Sequence, residues 1–221
     1  MKREERERVA RVVSEIETRV EALPIKNAPS LRGLRRQFSK LIAGGRAEVV
    51  VAIADKLIES RRFEYRFLAY EMILNHKPAL ASLGSKEVSR LGRGLDSWGA
   101  VDTFACYISG PAWRQTQVSD DMIHHWASSK DRWLRRAAVV STVPLNSKAR
   151  GGSGDARRTL ALCRLVVSDR DDMVVKALSW ALRELSKRDR GAVRQFVSLH
   201  ERELAPRVVR EVRNKLSTGR K

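Results

Sequence analysis

Apolar residues recur at steps of three and four along almost the whole chain. Between residues 174 and 188, for example, Val174, Leu178, Leu182 and Leu185 share one face. This spacing is typical of an α-helix with one buried face. The pattern predicts helices at about residues 9–20, 31–42, 49–58, 63–75, 85–91, 98–109, 119–126, 131–143, 155–167, 171–186, 191–201 and 206–216. No convincing β-hairpin signal occurs, so the sequence predicts an all-α protein.

Glycine and proline mark the predicted helix ends. Gly44-Gly45 ends the second helix, Gly110-Pro111 is expected to stop the helix that starts at Trp98, and Pro144 is expected to follow the end of another. The glycine-rich segment at residues 149–154 is predicted to be a flexible connector. The helices are therefore ten to sixteen residues long on the whole, with short connections.

Two segments of the chain share a rhythm that suggests helical repeats. D-R-W-L-R-R-A-A-V-V and D-D-M-V-V-K-A-L-S-W-A-L both run from an acidic residue through apolar residues to a basic residue and alanine. They start about 40 residues apart, which is close to the period of HEAT repeats. An α-solenoid of paired helices is the favoured arrangement, and a compact helical bundle is the alternative.

The charge of the chain indicates a polyanionic partner. Lys and Arg number 44 against 26 Asp and Glu, which gives a formal net charge of +18. The basic residues are spread through the helical patterns, so a folded basic surface is expected, with nucleic acid as the first candidate and an anionic membrane as the second. No segment has the roughly 20 apolar residues needed to span a bilayer. Without a visible secretory signal, and with only two cysteines, a cytoplasmic location is expected.

Three residues stand out against the helical patterns. Trp98 lies at the edge of an apolar face, with Asp102 one turn later on the same side. Trp180 lies opposite the apolar face of its helix, and its neighbours one or two turns away are Lys176, Arg183 and Lys187. Each has two interpretations. In the first interpretation, Trp98 caps the core, Asp102 pairs with an arginine, and Trp180 packs on the next repeat. In the second, the indoles contact sugars or bases while the cations bind phosphates.

Other chemistry has little support in the sequence. Adjacent His124 and His125 point in different directions from a helix, and neither Cys106 nor Cys163 lies at zinc-site spacing from them. The glycine-rich segment lacks the lysine and hydroxyl residue of a P-loop, and no predicted strand precedes it. No metal and no cofactor are therefore expected.

Five segments of the sequence, in order, resemble the AlkD-like DNA alkylation repair family. They cover roughly residues 23–186, and residues 187–221 form the remaining C-terminal helices. The segments are L-P-I-K-N-A-P-S-L-R-G-L-R-R at residues 23–36, R-F-E-Y-R-F-L-A-Y-E-M-I-L at 62–74, D-S-W-G-A-V-D-T-F-A at 96–105, R-W-L-R-R-A-A-V-V at 132–140 and V-V-K-A-L-S-W-A-L-R-E at 174–184.

The resemblance implies both a fold and an activity. The fold is a right-handed α-solenoid of HEAT-like repeats with a concave basic groove, here as a single domain over residues 1–221. The activity is a DNA glycosylase that excises positively charged N3- or N7-alkylated purines from duplex DNA without a base-flipping pocket. A monomer without a cofactor is expected, associated with the nucleoid if the source is bacterial. The alternative is a non-catalytic HEAT-repeat module that binds nucleic acid or serves as a protein scaffold.

The resemblance also implies roles for individual residues. Asp102 corresponds to the catalytic carboxylate of the family, and Trp98 and Trp180 correspond to aromatic walls beside the deoxyribose of the lesion. Arg136 corresponds to an arginine that contacts the DNA backbone. Lys176 and Arg183 lie at matching motif positions and are assigned phosphate contacts, to which the basic helix face adds Lys187.

Overall fold

The computed structural model describes residues 2–219, and about 73% of these residues are helical. No β-strand occurs among these residues, so the prediction of an all-α protein is confirmed. The chain divides into two compact units at the Leu95–Asp96 bond. The single-domain assignment over residues 1–221 stays a prediction.

The first unit consists of two helix pairs and two short helices. Its helices are α1 (Arg3–Glu21), α2 (Ala28–Ile42), α3 (Ala47–Glu59), α4 (Phe63–Leu74), α5 (Lys77–Ala81) and α6 (Ser85–Leu91). Helix α1 packs on α2 and α3 packs on α4, while α1 also contacts α3 and α2 contacts α4. Two successive helix pairs are thus stacked in two layers, as in helical repeats.

The second unit repeats the same two-layer arrangement. Its α-helices are α7 (Trp98–Phe104), α8 (Gly110–Arg114), α9 (Asp120–Ala127), α10 (Arg132–Val140), α11 (Val143–Asn146), α12 (Ala156–Leu165), α13 (Asp172–Leu185), α14 (Arg190–Leu199) and α15 (Pro206–Thr218). Helices α7, α10, α13 and α15 form one layer, each in contact with the next. Behind them α9 packs on α10, α12 on α13 and α14 on α15. The structure is therefore compatible with the predicted solenoid of helical repeats.

The acidic residues that open the two similar segments are helix N-caps. The carboxylate of Asp131 accepts a hydrogen bond from the backbone N–H of Trp133 at 2.8 Å, and that of Asp171 accepts one from Met173 at 2.9 Å. Each satisfies a backbone donor that a helix leaves unpaired at its N-terminus. The shared rhythm of the sequence therefore reflects an equivalent start for α10 and α13.

The prediction that Gly110-Pro111 stops the helix after Trp98 is wrong. A π-helical turn, Ala105–Ser109, follows α7 and leads directly into α8. Pro111 lies in the first turn of α8, where its missing N–H costs least. Gly110 is required here because a Cβ would lie 2.7 Å from the carbonyl oxygens of Ala105 and Ser141.

Two further differences concern the prolines at positions 78 and 144 and the glycine-rich segment. Pro78 and Pro144 lie in the first turns of the short helices α5 and α11, which the sequence pattern did not predict. The segment at residues 149–154 starts as a 3₁₀ turn and is held by hydrogen bonds from Arg188 to the carbonyls of Asn146 and Gly152, at 2.8 and 3.0 Å. It is thus a fixed loop and not the flexible connector that its glycines predict.

Candidate active site

Asp102 and Arg136 form a two-point ion pair between α7 and α10. The Nε of Arg136 donates to Oδ1 of Asp102, and Nη2 donates to Oδ2, both at 2.8 Å. The side chains are 19% and 7% exposed, respectively. The Nη1 of Arg136 donates to the backbone carbonyl of Met173 in the first turn of α13. One guanidinium therefore joins three successive helices of the same layer.

The surroundings of Asp102 act on its pKa in opposite directions. Burial raises the pKa above 3.8, while the hydrogen bonds and charge of Arg136 and the charge of Arg150 work against this rise. Bidentate pairing with a guanidinium, which stays protonated in proteins, suits the ionised carboxylate. Each oxygen of Asp102 keeps acceptor capacity beyond its bond to Arg136, so the carboxylate can also accept from water.

Trp98, the first residue of α7, projects into solvent. It is 62% exposed, so the interpretation of Trp98 as a cap on the core is wrong, whereas the pairing of Asp102 with an arginine, which belonged to the same interpretation, is confirmed. Asp102 follows one helical turn later, and residues at this spacing lie on the same side of a helix. Phe104 and Trp126, by contrast, are buried, with their rings 6.0 Å apart. The structure thus separates a solvent-facing indole beside Asp102 from the aromatic residues of the core.

Trp180 occupies an intermediate position on α13. Its side chain is partly buried, while its neighbours Ser179 and Ala181 are buried. The remaining surface of Trp180 lies on the side of α13 that carries Lys176 and Arg183, one turn away in either direction. An indole in this position can both pack on the helix and present an edge to a ligand.

The three cations predicted near Trp180 each contact a carboxylate. Lys176 pairs with Asp172 at 2.5 Å and Lys187, just beyond the end of α13, pairs with Glu184 at 2.6 Å. Both lysines are well exposed, at 39% and 50%. The Lys176–Asp172 pair is exposed on both sides, and such a pair contributes about 0–1 kcal/mol, so it can open to bind a phosphate at little cost. Glu184 is only 10% exposed, so opening its pair with Lys187 would leave a largely buried carboxylate without its partner. Arg183 is less free, because it is 16% exposed and lies 3.6 Å from the carboxylate of Glu211.

Helix α15 contributes basic residues that the sequence analysis did not identify. Arg207, Arg210 and Asn214 line a cavity of about 640 Å³ together with Arg183 and Glu211. Arg207 donates to Glu211 at 2.8 Å and lies 3.5 Å from Asp172. The signal was present, since Arg207, Arg210 and Asn214 recur at steps of three and four on one helix face.

The predicted site residues thus fall into two groups in the second unit. Asp102 and Arg136 are in direct contact, and Trp98 shares α7 with Asp102. Trp180, Lys176, Arg183 and Lys187 belong to α13 and its C-terminal end, whose first turn meets Arg136 at Met173. Among residues 2–219 no group of three or more His, Cys, Asp or Glu side chains could hold a metal ion.

The cysteines and the adjacent histidines do not contribute to this site as reactive groups. Burial raises the pKa of both Cys106 and Cys163 to about 12, which makes their thiolates rare at neutral pH. His125 is exposed and His124 is partly buried. Within the described part of the chain, no helix is long and apolar enough to cross a membrane.

The comparison with protein families shows to which family the chain belongs. The family model described as DNA alkylation repair enzyme matches residues 5–216, which is nearly the whole chain. The chain belongs to the DNA alkylation repair enzyme family. Its membership supports a role in the repair of alkylated DNA, with DNA as the substrate. No curated protein shows significant similarity to the chain.

Proposed function

We propose that this family member is a DNA glycosylase that releases N3- and N7-alkylated purines from duplex DNA. The observation that supports it best is the arrangement on α7, where an exposed indole stands one turn from a carboxylate oriented by Arg136. An anion and an aromatic face both attract positive charge. An alkylated purine carries such a charge before its bond to the sugar breaks, and the sugar carries it afterwards.

In the proposed reaction the bond between C1′ and the purine nitrogen breaks first. Its electron pair goes to the base, which leaves neutral, and oxocarbenium character develops on the sugar. The Asp102 carboxylate stabilises this charge and accepts a hydrogen bond from the water that attacks C1′. The water loses its proton to solvent or to Asp102 as the new C–O bond forms. A neutral lesion lacks the charged leaving group and should react poorly.

Arg136 has a different role here from the backbone contact that the family resemblance implies. Three of its nitrogens already donate to Asp102 and Met173, and the side chain is only 7% exposed. A phosphate contact would require the loss of at least part of this arrangement. In this proposal Arg136 is a positioning residue that fixes the plane of the Asp102 carboxylate and balances its charge.

Binding of the duplex is assigned to the indoles and to the cations of α13. Trp98 and Trp180 contact the deoxyribose, an aromatic contact worth roughly 1–3 kcal/mol if it resembles base stacking. Lys176, Arg183 and Lys187 bind phosphates, and contacts with DNA phosphates replace their ion pairs with carboxylates of the protein. Because phosphate contacts release counterions, binding should weaken steeply with salt. We propose that the protein acts as a cytoplasmic monomer and needs no cofactor.

The direct test is incubation of the purified protein with methylated duplex DNA, followed by chromatography of the freed bases. The proposal predicts release of 3-methyladenine and 7-methylguanine, and much slower release of a neutral base such as hypoxanthine. A non-catalytic binding module would bind the same duplex in a salt-dependent way and release no base. That outcome, with enzyme in excess over lesions, would contradict the glycosylase assignment.

A further inference from the structure

A cavity in the first unit is lined mainly by arginines. It has a volume of about 340 Å³ and lies where the end of α3, the turn before α4 and the loop after α6 meet. Four arginines line it, against two acidic residues, in the set Asp55, Ile58, Glu59, Arg61, Arg66, Arg90, Arg93 and Gly94. The cavity is therefore electropositive in a part of the molecule that has no assigned site.

The two acidic residues of this cavity are already paired. Asp55 accepts from Arg90 at 2.8 Å, and Glu59 accepts from Lys56 at 3.0 Å. Neither Arg61 nor Arg93 has a carboxylate partner anywhere in residues 2–219, and both are exposed. Their charges are thus available to a ligand that enters the cavity.

Arg66 adds a buried guanidinium without a counterion in the described part of the chain. It is 1% exposed, and its Nη2 donates to the carbonyls of Arg93 and Gly94, both at 2.9 Å. Its Nη1 donates to the hydroxyl of Tyr70 at 3.2 Å, while Nε has no partner among the described residues. A buried charge held only by neutral acceptors is costly, and a bound anion would offset that cost.

The backbone brings Arg61 and Arg66 close together despite their like charges. Gly94 has a φ of +63°, and a Cβ there would lie 3.4 Å from Nη2 of Arg66 and 3.7 Å from Nε of Arg61. Both guanidinium groups therefore lie against the same face of Gly94. Arg61 itself has a φ of +59°, a left-handed conformation that is uncommon for a residue with a side chain. Local strain of this kind is concentrated at ligand sites.

We propose that Arg61, Arg66 and Arg93 form a site in the first unit that binds a phosphate group. Guanidinium groups match phosphate oxygens with paired hydrogen bonds, and three of them around one cavity suit a doubly charged oxyanion. Arg66 fixes the floor of the site through the carbonyls of residues 93 and 94, and Arg61 and Arg93 close over the anion. The phosphate belongs either to the DNA backbone or to a small phosphorylated molecule. The site does not depend on glycosylase activity.

The first experiment measures inorganic phosphate binding to the full chain by calorimetry, with chloride at matched ionic strength as the reference. The double variant Arg61→Ala/Arg93→Ala should bind phosphate at least about tenfold more weakly than the wild type. Arg164→Ala/Arg194→Ala removes two exposed arginines from the second unit and serves as the charge-matched control. Absence of phosphate binding to the wild type, or equal weakening in both double variants, would overturn the proposal.

A second measurement identifies the source of the phosphate. The affinity for an undamaged duplex is followed as a function of salt, where each phosphate contact contributes a slope of about −0.9 in log K against log[salt]. If the site binds the DNA backbone, Arg61→Ala/Arg93→Ala makes the slope of log K against log[salt] less steep than the control does, by the equivalent of about one to two phosphate contacts. If it binds a small phosphorylated molecule, the two slopes agree while phosphate binding is still lost.

Discussion

Asp102 and Arg136 are 34 residues apart in sequence and meet through two parallel hydrogen bonds of 2.8 Å. They come from neighbouring helices of the same layer, so the packing of α10 on α7 sets their geometry. A bidentate contact fixes the plane of the carboxylate as well as its position. The same arginine holds Met173, which makes this pair part of the packing of the second unit as well as part of the proposed site.

Replacement of Arg136 by Met should destabilise the second unit. The change leaves the largely buried Asp102 without its partner, for which the expected cost is about 3–5 kcal/mol. Urea unfolding measured at pH 7 checks the magnitude. A variant as stable as the wild type would show that the pair contributes nothing to the packing of α7, α10 and α13.

The loss of stability in Arg136→Met should also depend on pH. Burial raises the pKa of Asp102 above 3.8 and Arg136 opposes this effect, so loss of the guanidinium lets the pKa rise further. The folded variant then binds a proton more readily than the unfolded chain, so its stability rises as pH falls through the raised pKa. The deficit relative to wild type should therefore be larger at pH 7 than at pH 4.5. Adding Asp102→Asn to Arg136→Met should remove most of this pH dependence. A deficit that does not change with pH would contradict the explanation.

Replacement of Trp98 by Ala should affect activity and not stability. The indole is 62% exposed, and surface substitutions of this kind usually change stability by no more than about 0.5 kcal/mol. If it contacts the sugar, base release should fall by about 5- to 150-fold, for a contact of roughly 1–3 kcal/mol. Trp126→Ala is the control for a core indole, since its 8% exposure predicts a loss of about 3–5 kcal/mol. Unchanged release by Trp98→Ala would remove Trp98 from the site.

Replacement of Gly110 by Ala should destabilise the junction between the π-helical turn and α8. A Cβ at this position would lie 2.7 Å from three atoms of Ala105, Ser141 and Pro144, and two of these are backbone oxygens. Overpacking of this kind costs about 1–3 kcal/mol. Gly44→Ala is the matched control, because nothing lies within 4 Å of its added Cβ. Thermal unfolding of the two variants should differ clearly, and equal melting temperatures would contradict the close approach.

Glu21 should make the first unit sensitive to acid. Hydrogen bonds from Lys26, Tyr65 and Arg62 lower the pKa of Glu21 from 4.5 to about 2. A lowered folded pKa gives stability that is complete above the unfolded value of 4.5 and is lost as pH falls toward 2. Glu21→Gln should therefore show a weaker loss of stability over this range, measured by chemical denaturation at several pH values. If the free energy of unfolding changed with pH in the same way for the variant and the wild type, the pairing of Glu21 would be absent in solution.

Much of the fold could be predicted from local sequence signals. The periodic apolar residues give most of the helices, because each helix buries one face. The repeated acidic starts give the N-caps Asp131 and Asp171. The continuation through Gly110 could not be predicted, because it depends on a π-helical turn and on contacts with Ser141 and Pro144, more than 30 residues away.

The candidate site could be predicted only in part, because it also depends on contacts between segments that are far apart in the sequence. Helical spacing brings Trp98 and Asp102 to one side of α7, but no local pattern states which of many arginines pairs with Asp102. The exposure of Trp98 and the contact between Arg207 and Asp172 also depend on three-dimensional packing. The arginine cavity of the first unit joins three separate segments, and only the folded chain brings Arg61, Arg66 and Arg93 together.

The most direct test of the proposed function is the single-turnover rate at which Asp102→Asn releases 7-methylguanine from a methylated duplex. Asp169→Asn is the matched control, since Asp169 accepts from Arg135 at 2.7 Å in a comparably buried ion pair. Loss of the developing electrostatic interaction should slow release by about 10²–10³ in Asp102→Asn, with DNA affinity and folding retained, while Asp169→Asn reacts like the wild type. Release by Asp102→Asn at the wild-type rate would exclude Asp102 from the chemistry and contradict the account.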